Sequence, residues 1–66
     1  MYTYQIGPGD DDNTYAYTIL RDDVAVMRQT FQPFQGGYPA IPDQATATRC
    51  ATAHIAWLQE QEGGTA

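Results

Sequence analysis

A chain of 66 residues that contains a single cysteine, Cys50, cannot strengthen its fold with an internal disulfide. A domain this small hides only about 60% of the surface that its unfolded chain exposes, so its core must be thin. Chains of this size depend on good local packing, on self-association or on docking to a partner. The sequence therefore predicts one domain, residues 1–66, that is either self-sufficient or part of an oligomer or assembly.

The clearest local pattern is a helix near the C-terminus. Residues 44–62 contain no helix breaker, Asp43 is a favourable N-cap, and Gly63-Gly64 is a stop signal. We predict a helix over 44–62, followed by a frayed tail at 63–66. With a period of 3.6 residues, its apolar stripe comprises Ala47, Cys50, Ala51, His54, Ile55, Trp57 and Leu58.

Three earlier segments have the alternating pattern and the composition of β-strands. They predict strands at about 2–6, 14–21 and 24–31, with polar turns between them. Residues 33–42 contain three prolines and a glycine pair, and they predict an ordered loop. Its expected anchors are Phe34, Tyr38 and Ile41. The predicted fold class is α+β, a three-stranded antiparallel sheet followed by one C-terminal helix packed on one face.

The turn at Asp22-Asp23 sets the predicted register of the second hairpin. If these are its two loop residues, counting outward pairs Leu20 with Ala25, Ile19 with Val26, Thr18 with Met27, and Tyr17 with Arg28. One face would then carry Ala16, Thr18, Leu20, Ala25, Met27 and Phe31. The other face would carry Tyr15, Tyr17, Ile19, Val26 and Arg28. A slip of one residue would mix the two sets.

Tyrosines occupy alternate positions on the first two predicted strands. One helix can cover only one face of a three-stranded sheet, which leaves three alternatives for these rings. They could form the core beneath the alanines of the helix, an exposed face for binding a partner, where tyrosine is favoured, or scattered surface positions. In the second case the contact residues would be Tyr2, Tyr4, Tyr15, Tyr17 and Arg28.

The net charge of −5 limits the partners that the chain can bind. Three arginines and no lysine cannot form the basic surface that nucleic acid or an anionic membrane requires. We therefore expect no direct binding to either. The acidic residues suggest an alternative surface, through which the chain would occupy a nucleic-acid-binding protein. That surface would consist of Asp10, Asp11, Asp12, Asp22 and Asp23.

Catalytic and metal sites are weakly represented. The chain contains neither serine nor lysine, which excludes serine triads and Schiff-base chemistry. Cys50 and His54 lie one helical turn apart and could form a thiolate–imidazole pair, but their stripe predicts a packed thiol and a hydrogen-bonded histidine. The run Asp10-Asp11-Asp12 lacks the later glycine and glutamate of a calcium loop. We expect no enzyme, no cofactor, no metal and no small-molecule substrate.

The predicted location is intracellular. Residues 1–5 lack the basic and apolar runs of a secretion signal, and no apolar segment approaches the roughly 20 residues of a membrane span. An unpaired thiol also suits a reducing compartment.

Two runs of sequence resemble short proteins encoded by tailed bacteriophages. They are YAYTILRDDVAVMR at 15–28 and, after the glycine- and proline-containing loop, DQATATR at 43–49. The resemblance covers most of the chain and contains no signature motif. It implies a small virion or assembly accessory protein in the host cytoplasm or the particle, which binds a protein partner or forms a homo-oligomer. The alternative that it implies is a host-directed inhibitor of the anti-restriction or anti-CRISPR type.

Overall fold

The computed structural model describes residues 1–63 and has the element order β–β–β–α. Its elements are β1 (Tyr2–Pro8), β2 (Tyr15–Arg21), β3 (Val24–Gln29) and α1 (Gln44–Gly63). The strands form one antiparallel sheet in the order β1-β2-β3, and α1 packs against β1 and β2. The predicted α+β class is confirmed. The predicted tail beyond residue 63 lies outside the described residues.

β2 lies in the middle of the sheet and supplies its most deeply buried side chains. β1 pairs with it so that Tyr4 is opposite Ile19 and Ile6 is opposite Tyr17. Tyr17 and Ile19 are completely buried. The remaining members of the core come from the loop and from α1, and they are Ile41, Ala47, Cys50 and Ala51. The core therefore lies between α1 and one face of the sheet.

The tyrosine rows belong to this core. Tyr17 is 0% exposed, and Tyr2, Tyr4 and Tyr15 are half-buried and pack against the buried cluster. The register of β1 with β2 places both rows on the helix side, where the small Ala47 and Ala51 leave room for the rings. These rings therefore belong to the core beneath α1, with Tyr17 fully buried and the other three only partly accessible at its margin.

The predicted register of β3 is correct at the turn and wrong beyond it. Asp22 and Asp23 both have positive φ, as a two-residue hairpin turn of type I′ requires, and Leu20 pairs with Ala25. One pair further along, however, Ile19 is opposite Met27 rather than opposite the predicted Val26. Val26 is therefore the extra residue of a β-bulge.

The bulge exchanges the faces of the two residues that follow it. Met27 turns toward the helix and packs against the core, whereas Arg28 now pairs with Thr18 on the outer face. Without the extra residue, the charged side chain of Arg28 would lie beside Tyr17 under α1, and the apolar side chain of Met27 would face solvent. Burial of Met27 and solvation of Arg28 both favour the bulged arrangement.

An irregular loop, residues 30–43, links β3 to α1. It is held by two isolated β-bridges, Tyr15 with Ile41 and Phe31 with Ala40. Ile41 is fully buried and is the anchor that the sequence predicted. The other two predicted anchors are not buried, since Phe34 is 53% exposed and Tyr38 is also mainly exposed.

The N-terminus of α1 is capped as predicted. The Asp43 carboxylate accepts a hydrogen bond from the Thr46 N–H at 2.7 Å, and this bond lowers the pKa of Asp43. A carboxylate at this position also interacts favourably with the helix dipole.

Asp43→Ala is expected to lower the thermal unfolding midpoint, whereas Asp43→Ser should retain most of the wild-type value because serine is also a good N-cap. A carboxyl whose pKa is lowered by folding stabilises the fold above its unfolded pKa and loses this effect as the pH falls. Thermal melts at neutral and acidic pH should therefore show a difference between wild type and Asp43→Ala that shrinks in acid. An equal difference at both pH values would contradict the capping role.

Candidate protein-binding site

The face of the sheet that α1 leaves uncovered carries mostly small or polar residues, together with the apolar Leu20. Its exposed or half-buried members are Thr3, Gln5, Thr18, Leu20, Ala25 and Arg28. The Arg28 guanidinium donates to the Pro8 carbonyl at 3.1 Å and to the Asp10 carboxylate at 3.3 Å. Arg28 thus bonds within the chain and lies on the opposite side from the tyrosines. The structure does not bring the predicted contact set together.

The acidic residues form two separate groups. Asp10, Asp11 and Asp12 lie in the turn before β2, and Asp22 and Asp23 lie in the turn after it. The seven residues of β2 keep these turns about 23 Å apart. Each group also contacts a cation.

The first cation is Arg28, which pairs with Asp10 at 3.3 Å. The second is the amino group of Met1, which donates to Asp22 at 2.7 Å and lowers the pKa of that carboxyl. The five aspartates therefore do not form one continuous acidic surface of the kind expected of a nucleic-acid mimic.

Cys50 and His54 are both buried, and among the described residues the hydrogen-bond partner of His54 is Tyr17 rather than the thiol. His54 Nδ1 shares a hydrogen bond of 2.8 Å with the Tyr17 hydroxyl in the interior. Burial lowers the pKa of His54 and raises the pKa of Cys50, so both side chains favour their neutral forms. A reactive thiolate needs the opposite shifts. The predicted packed thiol and hydrogen-bonded histidine are confirmed.

We expect the free energy of unfolding to decrease as the pH falls below about 6.5, the usual pKa of histidine in an unfolded chain. Because burial lowers the pKa of His54 in the fold, the unfolded chain binds more protons in this range. Urea denaturation between about pH 7 and pH 5 measures the effect. His54→Gln should remove this step, while the carboxyl-linked loss at lower pH remains. An unchanged step in His54→Gln would contradict the assignment.

Two exposed aromatic side chains, one from the loop and one from α1, contact the buried ring of His54. Phe34 is 53% exposed and Trp57 is 45% exposed. Both rings make edge-to-face contacts with buried His54, at centroid distances of 5.6 and 6.0 Å. Together these three residues form the aromatic cluster, which continues from the core to the surface.

A cavity adjoins the aromatic cluster. It has a volume of about 220 Å³ and opens between the loop and α1. Its lining residues are Gln32, Phe34 and Gln35 from the loop and Arg49, Cys50 and Ala53 from α1. Small-molecule sites typically measure about 300–1,000 Å³, so this cavity suits a large side chain better than a drug-sized ligand. The cavity and the aromatic cluster are together called the aromatic pocket below.

Sequence reasoning did not identify the aromatic pocket. The sequence predicts Trp57 in the buried stripe and Phe34 as a loop anchor, yet both side chains are substantially exposed. The sequence does contain a sign that Trp57 is exposed. The apolar stripe of the helix is wider than the side that can face the sheet, and Trp57 lies at the margin of this stripe. No comparable signal exists for Phe34, because its position depends on how the loop folds back.

Comparison of the chain with protein-family models, with curated proteins and with solved structures finds no match. The resemblance to small tailed-phage proteins therefore rests on the two sequence runs alone. Within residues 1–63, no helix is both long and apolar enough to cross a membrane.

Proposed function

We propose that this chain is a non-catalytic protein–protein interaction module that binds its partner through the aromatic pocket. The observation that carries the proposal is the exposure of Phe34 and Trp57 around buried His54, next to a cavity of side-chain size. Binding energy at protein interfaces is concentrated in a few aromatic and arginine residues around such pockets. Phe34 and Arg49 line the cavity, and Trp57 belongs to the adjoining aromatic cluster through its contact with His54.

The aromatic pocket is held in place before a partner arrives. His54 is fixed by its hydrogen bond to Tyr17, and Trp57 lies on the same helix. The loop that carries Phe34 is tied to the sheet through buried Ile41. Side chains that are already ordered lose less conformational entropy on binding, which favours affinity.

The setting that we propose is a virion or an assembly intermediate of a tailed phage. Its support is the sequence resemblance, together with the need of a 66-residue domain for additional stabilising contacts. Mass spectrometry of purified particles tests this setting. The polypeptide should be present in particles or assembly intermediates, and its absence from both would remove the structural role.

Site-specific photo-crosslinking tests the interaction itself. A benzophenone amino acid would replace Phe34 in the aromatic pocket or, as a matched control, Thr3 on the outer face of the sheet. We expect a discrete protein adduct from position 34 and none from position 3. An adduct of twice the mass of the chain would identify the partner as a second copy. Adducts from position 3 alone, or from neither position, would contradict the proposal.

A further inference from the structure

We propose that the segment recognised by the aromatic pocket inserts an apolar side chain into the cavity and pairs a neighbouring carboxylate with Arg49. This inference rests on the proposed function and specifies the chemistry of the partner. Arg49 is the charged residue among the described residues that line the cavity, and its side chain is exposed.

The ion pairs of the chain distinguish Arg49 from the other two arginines. Arg21 pairs with Glu62 at 3.3 Å, and Arg28 pairs with Asp10 at 3.3 Å. Within residues 1–63, Arg49 forms no such pair. Its guanidinium is therefore available to an acidic group from outside the described part of the chain.

The surroundings of Arg49 do not oppose an incoming carboxylate strongly. The loop side of the cavity contributes the neutral Gln32 and Gln35. Asp43 is close enough for the charge of Arg49 to lower its pKa slightly, but its carboxylate already accepts the Thr46 N–H as the helix cap. The acidic turns belong to the ends of β2. The negative net charge of the chain is thus not concentrated at this pocket.

The geometry of α1 gives the spacing between the two groups of the partner. Arg49, Ala53 and Trp57 follow one another at intervals of four residues, so they lie on one flank of the helix with a rise of about 6 Å per interval. The cavity is lined by Ala53, one interval from Arg49. An extended segment advances about 3.3 Å per residue. The carboxylate should therefore lie about two residues from the apolar anchor.

Selection from a display library of short random peptides tests this inference. The baits would be the full-length wild-type chain and its variants Arg49→Gln, Arg49→Glu and Phe34→Ala. Wild type should enrich peptides with a large apolar residue and an aspartate or glutamate about two residues away. Arg49→Gln should lose the acidic preference and bind those peptides about two- to fivefold more weakly, as expected for an exposed ion pair.

The variants separate failure of this inference from failure of the proposed function. Arg49→Glu should prefer basic residues at the same position, because charge reversal inverts the complementarity. The inference would be overturned if wild type enriched peptides that need Phe34 for binding but carry no preferred acidic residue. It would also be overturned if Arg49→Gln enriched the same acidic peptides as wild type. Either result would leave the proposed interaction module intact. If no enriched peptide bound Phe34→Ala more weakly than wild type, both the inference and the proposed function would be overturned.

Discussion

Tyr17→Ala is expected to unfold most of the protein at room temperature. Tyr17 is completely buried at the centre of β2, and its hydroxyl shares a hydrogen bond with His54. Truncating a buried aromatic side chain to alanine typically costs about 3–5 kcal/mol. A core in a domain of this size rarely supplies more than about 3–5 kcal/mol in total. Far-UV circular dichroism and urea denaturation measure the loss directly.

Tyr17→Phe is the matched control for this substitution. It keeps the ring in the core but leaves His54 Nδ1 without the hydroxyl partner, which should cost about 1–3 kcal/mol. The phenylalanine variant should therefore remain partly or fully folded and denature at lower urea. If Tyr17→Ala folded with wild-type stability and lost only partner binding, the ring would belong to a binding face and the account of the core would fail.

Phe34→Ala should have the largest effect on partner binding while changing the fold little. The side chain is 53% exposed and lines the cavity, so its removal takes away interface area more than core contacts. Truncation of a central hot-spot residue costs about 2 kcal/mol or more, which corresponds to a loss of affinity of about 30-fold. Isothermal titration calorimetry with the partner identified by crosslinking measures this change.

Val24→Thr provides the control for loss of an exposed apolar group elsewhere. Val24 is 64% exposed at the start of β3 and does not line the cavity. Threonine keeps its branched shape, so the strand should be preserved. We expect nearly unchanged affinity for Val24→Thr. Equal losses in the two variants, or a folding defect in Phe34→Ala that accounts for its weaker binding, would argue against the aromatic pocket as the docking site.

The elements of this fold could be predicted because their signals are local. The hairpin turn at Asp22-Asp23, the alternation in β1 and the cap at Asp43 each depend on residues that are close in sequence. The structure confirms all three. The strand ends differ from the prediction, since β1 continues to Pro8 rather than ending at residue 6, β2 begins at Tyr15 rather than at residue 14, and β3 ends at Gln29 rather than at residue 31.

The bulge at Val26 could not be predicted by counting outward from the turn. Whether β3 carries an extra residue is decided by the contacts of Met27 and Arg28 with groups distant in sequence. One displaced residue exchanges the two faces of a strand. A local pattern of apolar residues fits both arrangements almost equally well.

The candidate site was missed for a related reason. Sequence reasoning selected the tyrosines because they are aromatic and alternate, but that pattern is the same for a core face and for a binding face. Which one they form depends on the side of the sheet that α1 covers. Once α1 covers Tyr17, the exposed aromatics are Trp57 at the margin of the helix and Phe34 and Tyr38 in the loop, and of these Trp57 and Phe34 contact His54.

Both the core and the aromatic pocket require that α1 covers the tyrosine side of the sheet, and nuclear Overhauser contacts of the Tyr17 ring test this most directly. The Tyr17 and His54 ring centroids lie 5.9 Å apart, and Ala51 belongs to the same buried cluster. The ring protons of Tyr17 should therefore show cross-peaks to the side chains of His54 and Ala51. If those cross-peaks were missing and the helix instead contacted Thr18 and Leu20, the helix would lie on the other face and the account would be wrong.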